Sequence, residues 1–335
     1  MAIRYLTSGE SHGKALIGIL EGLPSGLPVS SGDIDRDLGR RQGGHGRGGR
    51  MKIETDCAQV LSGVRFGKTI GSPIALLIEN KDWQNWQDIM SVTPLTPPLN
   101  KGGSKGGLVT SPRPGHADLA GAVKYDTHDM RNILERSSAR ETAMRVALGA
   151  IVKRFLSEFG IRIGSYVVGI GRVQSSSRIG RDKVKSSEKE LLESFRSAEI
   201  SPVRCPDKIS SKKMVQLIDK ALKEGNSLGG IFEVFAAGVP VGLGSHIQWD
   251  KRLDGKLAQA LMSIQAIKGV EIGMGFEMSK KSGSEVMDEI FYKNSKFKIQ
   301  NLKFYRKTNN AGGIEGGMTN GMPIIIRAAM KPIPT

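Results

Sequence analysis

The sequence is poor in cysteine, aromatic side chains and acidic charge, and each shortage narrows what the chain can be. It has two cysteines, Cys57 and Cys205, in 335 residues. Far apart and outside any CxxC or Cys/His cluster, they offer neither a disulfide framework nor a zinc site and read as ordinary thiols. Aromatic residues make up 5% of the chain, too few to interleave with basic stretches and stack on bases. No apolar run reaches spanning length, and the start, Arg4 followed by Tyr5-Leu6-Thr7-Ser8-Gly9, lacks a signal-peptide core, so a cytoplasmic protein outside the membrane is expected. Acidic residues number 33 against 49 basic ones, a formal charge of +16. That surplus points to anionic partners, whether nucleic acid, an acidic membrane surface or a multiply charged metabolite, without choosing among them. At 39% apolar residues the chain can bury a core in one large or two ordinary domains, which excludes a disordered or fibrous protein.

Glycine, by contrast, is abundant at 43 residues, and it concentrates with arginine in the N-terminal third. The run Gly39-Arg40-Arg41-Gln42-Gly43-Gly44-His45-Gly46-Arg47-Gly48-Gly49-Arg50 has no apolar period and reads as a loop. Short β-rich runs flank it at Ala15 to Leu20 and Pro73 to Ile78. Residues 94–107, rich in Pro, Gly, Ser and Lys, predict a flexible surface insertion. Apolar stripes predict three helices. One begins at Ser138, which has capping-box spacing to Glu141 ahead of Ala143, Val146, Ala147, Ala150, Ile151 and Phe155. A second spans Ser211 to Glu224, with Met214, Leu217, Ile218, Ala221 and Leu222 on one face and Gly225 as its stop. The third spans Leu253 to Lys268 and ends at Gly269. Strand-like segments at Arg162 to Val173, Ile231 to Val241 and Pro323 to Met330 make the class mixed, α+β. Two hexapeptides, Gly22-Leu23-Pro24-Ser25-Gly26-Leu27 and Gly238-Val239-Pro240-Val241-Gly242-Leu243, each follow an apolar run; two chance turns or an internally pseudo-symmetric fold would both produce them.

Among five histidines, His12 in Gly9–Gly13 and His116 in Arg113–Asp118 lie in small-residue loops, where the side chain either moves protons or hydrogen-bonds its own turn. The arginine loop admits three readings. Gly44 to Gly49 fits GxGxxG, but no strand precedes it and no helix opens after it, so the dinucleotide fingerprint fails. The loop resembles an RGG segment of an RNA-binding protein, without the aromatic platform for bases. It also suits a clamp, with Arg40, Arg41, Arg47 and Arg50 converging on phosphate or carboxylate oxygens, against the plain alternative of a solvated basic loop. Arg136-Ser137-Ser138-Ala139-Arg140, at the start of the first predicted helix, offers N–H groups, hydroxyls and guanidiniums to an anion, or is simply an N-cap. Thr308 to Gly317 is a second glycine-dense loop, and Lys331-Pro332-Ile333-Pro334-Thr335 closes the sequence.

In this order and spacing the segments resemble chorismate synthases, from Arg4 to Thr335 apart from the insertion. Gly9 to Gly13 matches the family's N-terminal signature and Arg136 to Gly149 its central one. Arg113 to Asp118, Gln265 to Gly269 and Lys331 to Thr335 match further segments, with wording similar to the Gram-positive and cyanobacterial branch. The resemblance implies one domain over residues 1–335, a β-α-β sandwich assembled as a homotetramer. It implies a carbon–oxygen lyase of aromatic amino-acid biosynthesis, which removes phosphate from 5-enolpyruvylshikimate 3-phosphate by trans-1,4 elimination and requires reduced FMN. His116 would protonate the reduced flavin, and His12 would assist departure of the phosphate. Arg41, Arg47, Arg113 and Arg140 would hold the substrate. Arg136, Ser137, Ser138, Gln265, Ala266, Gly316, Lys331, Pro332, Ile333, Pro334 and Thr335 would hold FMN; Gln265 stands where the family commonly has asparagine and keeps the carboxamide on a longer arm. Arg41 and Arg47 also match positions associated with NADP in bifunctional members. With no reductase domain visible in the sequence, reduced flavin would come from an external flavin reductase, with NADPH as the ultimate reductant. Nucleic acid and membrane are not expected as partners.

Family members continue beyond the Lys331–Thr335 segment into an Arg-Ser-Asp-Pro-like motif whose Asp and Arg serve the active site, and Arg306-Lys307-Thr308-Asn309 belongs to a different motif. The resemblance therefore implies a shortened form that is weakly active, less able to hold FMN and prone to associate through exposed apolar strand at Ile324 to Met330. Full family-like turnover would instead mean that another carboxylate, Asp118 or Glu315, had taken the role. A basic RNA-binding protein and an inactive FMN-binding relative are the alternative readings.

Overall fold

The structure, a computed structural model, describes residues 3–48, 53–92, 108–175, 187–292 and 304–334. The predicted insertion at 94–107, Arg50 and Thr335 lie outside the described residues. The chain divides into two compact units, Met1–Gly43 with Arg47–Glu158 and Pro334–Thr335, and Gly44–Gly46 with Phe159–Ile333. Among the described residues no helix is long and apolar enough to cross a membrane.

In the first unit the strands are β1 (Arg4–Ser8), β2 (Ala15–Glu21), β3 (Gln59–Ser62), a small hairpin of β4 (Val64–Arg65) and β5 (Lys68–Thr69), and β6 (Ile74–Glu79). Helix α1 (Ser31–Gln42) follows β2, while α2 (Asp118–Tyr125), α3 (Arg131–Ser137) and α4 (Thr142–Ser157) come after the sheet. Four strands pair antiparallel in the order β1-β2-β6-β3. Alternation along β2 decides which face is covered: Leu16 and Leu20 are buried, whereas Ile17 and Ile19 point outward. Onto the buried face α4 lays Ala143, Met144, Ala147, Leu148 and Ile151. The approach is so close that a Cβ on Gly18 would lie 2.5 Å from the Met144 sulfur. Ile34 and Leu38 of α1 complete this core.

The second unit contains β7 (Arg162–Ile170), β8 (Val173–Gln174), α5 (Glu188–Glu199), α6 (Lys208–Lys223), β9 (Gly230–Ala237), α7 (Leu253–Met262) and β10 (Ile267–Ile272). After the short helix α8 (Gly283–Val286) come β11 (Ile290–Tyr292), β12 (Phe304–Arg306), the hairpin β13 (Ile314–Glu315) and β14 (Met318–Thr319), and β15 (Ile324–Met330). Its sheet runs β10-β15-β9-β7-β8, with all pairs antiparallel. Tyr166, Val168, Phe235 and Ile325 face Leu191 and Phe195 of α5, where the rings of Phe195 and Phe235 meet edge to face. Val167 and Ile170 pack with Met214, Val215 and Ile218 of α6.

The second sheet repeats the first, with β7, β9, β15 and β10 taking the places of β1, β2, β6 and β3. The two hexapeptides occupy equivalent turns closed by the same bonds. Thr69 Oγ1 donates to the Pro24 carbonyl at 2.6 Å and accepts from Leu27 N–H at 2.9 Å. Thr319 Oγ1 does the same with Pro240 and Leu243, at 2.6 and 2.9 Å. The sequence Gly63-Val-Arg-Phe-Gly-Lys-Thr-Ile-Gly-Ser-Pro73 aligns without a gap on Gly313-Ile-Glu-Gly-Gly-Met-Thr-Asn-Gly-Met-Pro323. A Cβ on Gly63 would meet the Pro73 carbonyl at 2.6 Å, and one on Gly313 the Pro323 carbonyl at 2.5 Å, so both turns need glycine. At the hairpin tips the same left-handed backbone carries Phe66 (φ 49°) in one unit and Gly316 (φ 57°) in the other. Internal pseudo-symmetry, and not a chance pair of turns, explains the hexapeptides, and the class is α+β.

Several boundaries differ from the sequence reading. Gly39, Arg40, Arg41 and Gln42 belong to the end of α1 and not to a loop. That helix was hidden by its thin stripe, Ile34 and Leu38, but Ser30 caps it and its last-turn arginines suit the negative end of the helix dipole. Ser138 starts a single 3-10 turn, Ala139–Glu141, and α4 begins at Thr142. No capping box forms there, since Glu141 is taken by Thr7 and Arg145. The third helix stops at Met262, and Gly269 lies within β10. Leu222 is exposed and not on the packed face of α6. Strand β15, expected to expose apolar surface, is paired on both sides and buries Ile324, Ile325, Ile326 and Ala328.

Because one buried hydroxyl serves two backbone groups in each turn, Thr69→Val and Thr319→Val should each cost about 1 to 3 kcal/mol. Denaturant unfolding of either variant within about 0.5 kcal/mol of the parent would show the turn is held by something else.

Candidate active site

Loop Gly9–Gly13, between β1 and β2, is fixed from several sides. The Ser11 backbone N–H donates to the Glu135 carbonyl at 3.0 Å. Glu135, buried at the C-terminal half of α3, accepts from the His12 backbone N–H at 2.7 Å and lies 2.8 Å from His12 Nδ1. Burial pushes the Glu135 carboxyl up, but the His12 side chain and backbone N–H, with Arg131, outweigh it and hold it below its ordinary value. Arg136 donates to the carbonyls of Thr7 and Gly9 at 2.6 and 3.1 Å, and Ser138 donates to the Ser11 hydroxyl at 3.1 Å.

Arg140 was expected to hold an anion at the start of a helix. It is buried, with Nε donating to Asn80 Oδ1 at 2.8 Å and its terminal nitrogens 2.5 Å from Asp56 and 3.6 Å from Glu54. Asn80 in turn donates to the carbonyls of Glu10 and Gly13, at 3.1 and 2.7 Å. Arg140 thus braces the His12 loop through Asn80, because a buried guanidinium must be matched by carboxylates and carbonyls. Arg41 reaches the same place from the end of α1, donating to Thr142 Oγ1 and the Ala139 carbonyl at 3.1 and 3.0 Å and lying 3.5 Å from Asp56. Burial lowers its pKa, Asp56 opposes that, and the charges of Arg140 and Arg47 add to the lowering. Such mutual repulsion among cations is what an added anion relieves.

His116 sits just ahead of α2 in a second cluster of the same unit. Its Nδ1 contacts Asp118 Oδ1, and Asp118, fully buried, also accepts from Arg113 Nε at 2.9 Å and the Arg113 backbone at 3.2 Å. Burial raises the Asp118 carboxyl, but Arg113 and His116 more than offset it and hold it at about 2. Arg113 lies between solvent and these two partners, and Arg47 is exposed.

The residues matched to FMN fall into local sets. Arg136, Ser137 and Ser138 adjoin the His12 loop in the first unit. In the second unit Ala266 adopts a left-handed backbone at φ 68° beside Gln265, and its carbonyl accepts from Lys331 N–H at 2.9 Å. The following segment is held where Ser227 donates to the Ile333 carbonyl at 2.6 Å. Gly316 is exposed, with nothing within 4 Å of a would-be Cβ. Guanidinium, ammonium, hydroxyl, carboxamide and open backbone are the donors a monophosphate cofactor with a polar ring would use, so the residues present fit the group. Among the described residues no cluster of His, Cys, Asp or Glu could hold a metal ion. His45 turns out to be anchored within the second unit, with Nε2 2.6 Å from Asp219 and its backbone N–H on the Pro202 carbonyl at 2.8 Å.

Sequence reasoning gave no role to Glu135, Asp56, Asn80 or Trp86. Only Glu135 carried a local signal, its place four residues after Arg131 on one helix face, where the two lie 3.6 Å apart.

The profile of the family described as chorismate synthase matches residues 3–335. The chain belongs to the chorismate synthase family. It is 55% identical to the chorismate synthase of Aquifex aeolicus, over 99% of this chain and 80% of that protein. It is 56% identical to that of Symbiobacterium thermophilum and 53% to that of Listeria welshimeri, in each case over 99% of this chain and 81% of the relative. A solved structure titled "Crystal Structure of Chorismate Synthase" is 48% identical and superposes with a TM-score of 0.81, covering 99% of this chain and 85% of that one. As a member of this family the protein is an enzyme acting on a small molecule.

Two predictions test the two clusters. Arg140→Ala leaves the buried Asp56 with only the longer contact to Arg41 at 3.5 Å and should destabilise the fold by roughly 3 kcal/mol; an unchanged melting temperature with lost substrate affinity would limit the role of Arg140 to the substrate. For Asp118 the folded-state pKa is depressed, so its stabilisation is present above the ordinary value of 3.8 and is lost as pH falls toward about 2. The stability difference between the parent and Asp118→Asn should therefore shrink across that interval in acid titrations, and a difference that stays constant there would mean the carboxyl is not held low.

Proposed function

We propose that the protein catalyses the trans-1,4 elimination of phosphate from 5-enolpyruvylshikimate 3-phosphate, a carbon–oxygen lyase reaction that yields chorismate for aromatic amino-acid biosynthesis. The observation that carries this reading is the pair of histidines, His12 on Glu135 and His116 on Asp118, each held at Nδ1 by a buried carboxylate inside a basic unit. Carboxylate-bound imidazoles are proton carriers with a fixed direction of transfer. Family membership supports the choice of substrate.

Arg41, Arg47, Arg113 and Arg140 bind the phosphate and two carboxylates of the substrate, and Arg140, set among carboxylates, also holds the loop. Charge-assisted hydrogen bonds from planar guanidiniums suit those oxygens and strengthen where water is excluded. His12 delivers a proton from Nε2 to the departing phosphate oxygen, and His116 would present its own Nε2 as the proton source for a bound flavin. Arg136, Ser137, Ser138, Gln265, Ala266, Gly316 and Lys331–Thr335 would hold FMN. Reduced FMN supplies transient electron donation to a reaction with no net redox change. Its reduction falls to an external reductase drawing on NADPH, and the working assembly is a homotetramer.

An anaerobic assay with dithionite-reduced FMN and the shikimate phosphate ester tests the reading directly. His116→Ala should lower turnover by roughly a hundredfold or more while FMN still binds, as expected when proton transfer is lost and binding is not. Full turnover in that variant would remove His116 from the chemistry.

A further inference from the structure

The His12 ring is held on two sides by groups outside the family motif that contains it. Along one edge, Nδ1 lies 2.8 Å from Glu135 Oε1, while the other carboxylate oxygen accepts from the His12 backbone N–H at 2.7 Å. Across one face the ring stacks on Trp86, with centroids 4.0 Å apart and planes 32° apart. Trp86 is itself fixed, its Nε1–H donating to Asp82 at 2.9 Å and the Arg131 guanidinium lying 5.1 Å from its ring. Arg131 returns to the start of the circuit at 3.6 Å from Glu135 Oε1. Four side chains from two segments, Asp82 and Trp86 in one and Arg131 and Glu135 in the other, thus fix ring plane, ring edge and carboxylate together.

This geometry settles which nitrogen carries the proton. An ionised carboxylate has only lone pairs to offer, so the nitrogen facing it must be N–H. In neutral imidazole the second nitrogen then bears the lone pair. We propose that Glu135 is a positioning residue for His12: it selects the Nδ1–H tautomer, making Nε2 the single ring atom that takes or gives a proton, while Trp86 fixes the plane in which it does so. The proposal rests on the reading of His12 as a proton carrier, and it extends that reading to the residues that set its direction. A wrong tautomer is far more damaging to a proton carrier than a lost contact, since the reacting nitrogen is then blocked by hydrogen.

The test is ring 15N NMR on the full chain with labelled histidine, the His12 signals being assigned by their loss in His12→Gln. Above its titration the parent should show His12 protonated at Nδ1 and bare at Nε2. In Glu135→Gln the one amide oxygen can accept from the backbone N–H, which turns the NH2 group toward Nδ1 and should reverse the tautomer. With that reversal kcat should fall on the order of a hundredfold or more, with KM changed by less than about threefold. Glu135→Asp keeps a carboxylate and should keep the Nδ1–H tautomer. A parent already protonated at Nε2, or a Glu135→Gln variant with the parental tautomer, overturns the proposal, and the parent measurement decides even if the variant does not fold. Reversal without loss of turnover, in an enzyme that His12→Ala inactivates, also overturns it. If His12→Ala is fully active, the proton-carrier reading fails, while the tautomer still reports whether Glu135 orients the ring.

Discussion

The buried guanidinium of Arg140 is the interaction on which the site depends. It ties together the Asp56 and Glu54 carboxylates and the Asn80 carboxamide, and Asn80 carries the constraint to the carbonyls of Glu10 and Gly13. A cation in such surroundings is tolerated only with its partners in place, so the arrangement is close to all-or-none. The consequence is a histidine loop of small residues that behaves as a rigid element, though it has no apolar side chain of its own to anchor it.

Much of the fold was legible where periodicity was strong. The stripe of Ala143, Ala147, Ala150 and Ile151 and the apolar runs at β2, β9 and β15 correspond to elements close to those observed. Helix α1 was not legible, because Ile34 and Leu38 are too sparse a stripe and the glycines and arginines at its end mimic a loop. The break at Ser138 was missed for a related reason. A capping-box spacing specifies a helix start only when its glutamate is free to fold back, and here Glu141 has been claimed by Thr7 and Arg145.

The site was half visible. Motifs singled out His12, His116 and the arginines, and the structure brings His12, Arg136, Ser138, Arg140 and Arg41 around one loop and its braces. What the sequence did not disclose is which cations face a ligand and which hold the scaffold. Arg140 and Arg41 look alike as letters, yet one is buried among carboxylates and the other lies at the edge of the same cluster, feeling the charges of Arg140 and Arg47. The carboxylate behind His116 is local, two residues on at Asp118, whereas the one behind His12 is a long-range partner, and only the folded chain puts Glu135, 123 positions from His12, against its ring.

The two hairpin tips show what the internal repeat allows. Phe66 and Gly316 stand at equivalent left-handed positions, but Phe66 is 89% exposed on a backbone that side chains adopt reluctantly, whereas Gly316 has an empty shell where its Cβ would be. Folding is satisfied by either residue, since the threonine and proline that close the turn are the same in both. The difference is in access: one tip is capped by an aromatic ring, the other presents bare peptide that a flat molecule can approach to van der Waals contact. A single side chain thereby distinguishes the two copies of a duplicated framework, since one tip carries an exposed ring and the other exposed backbone.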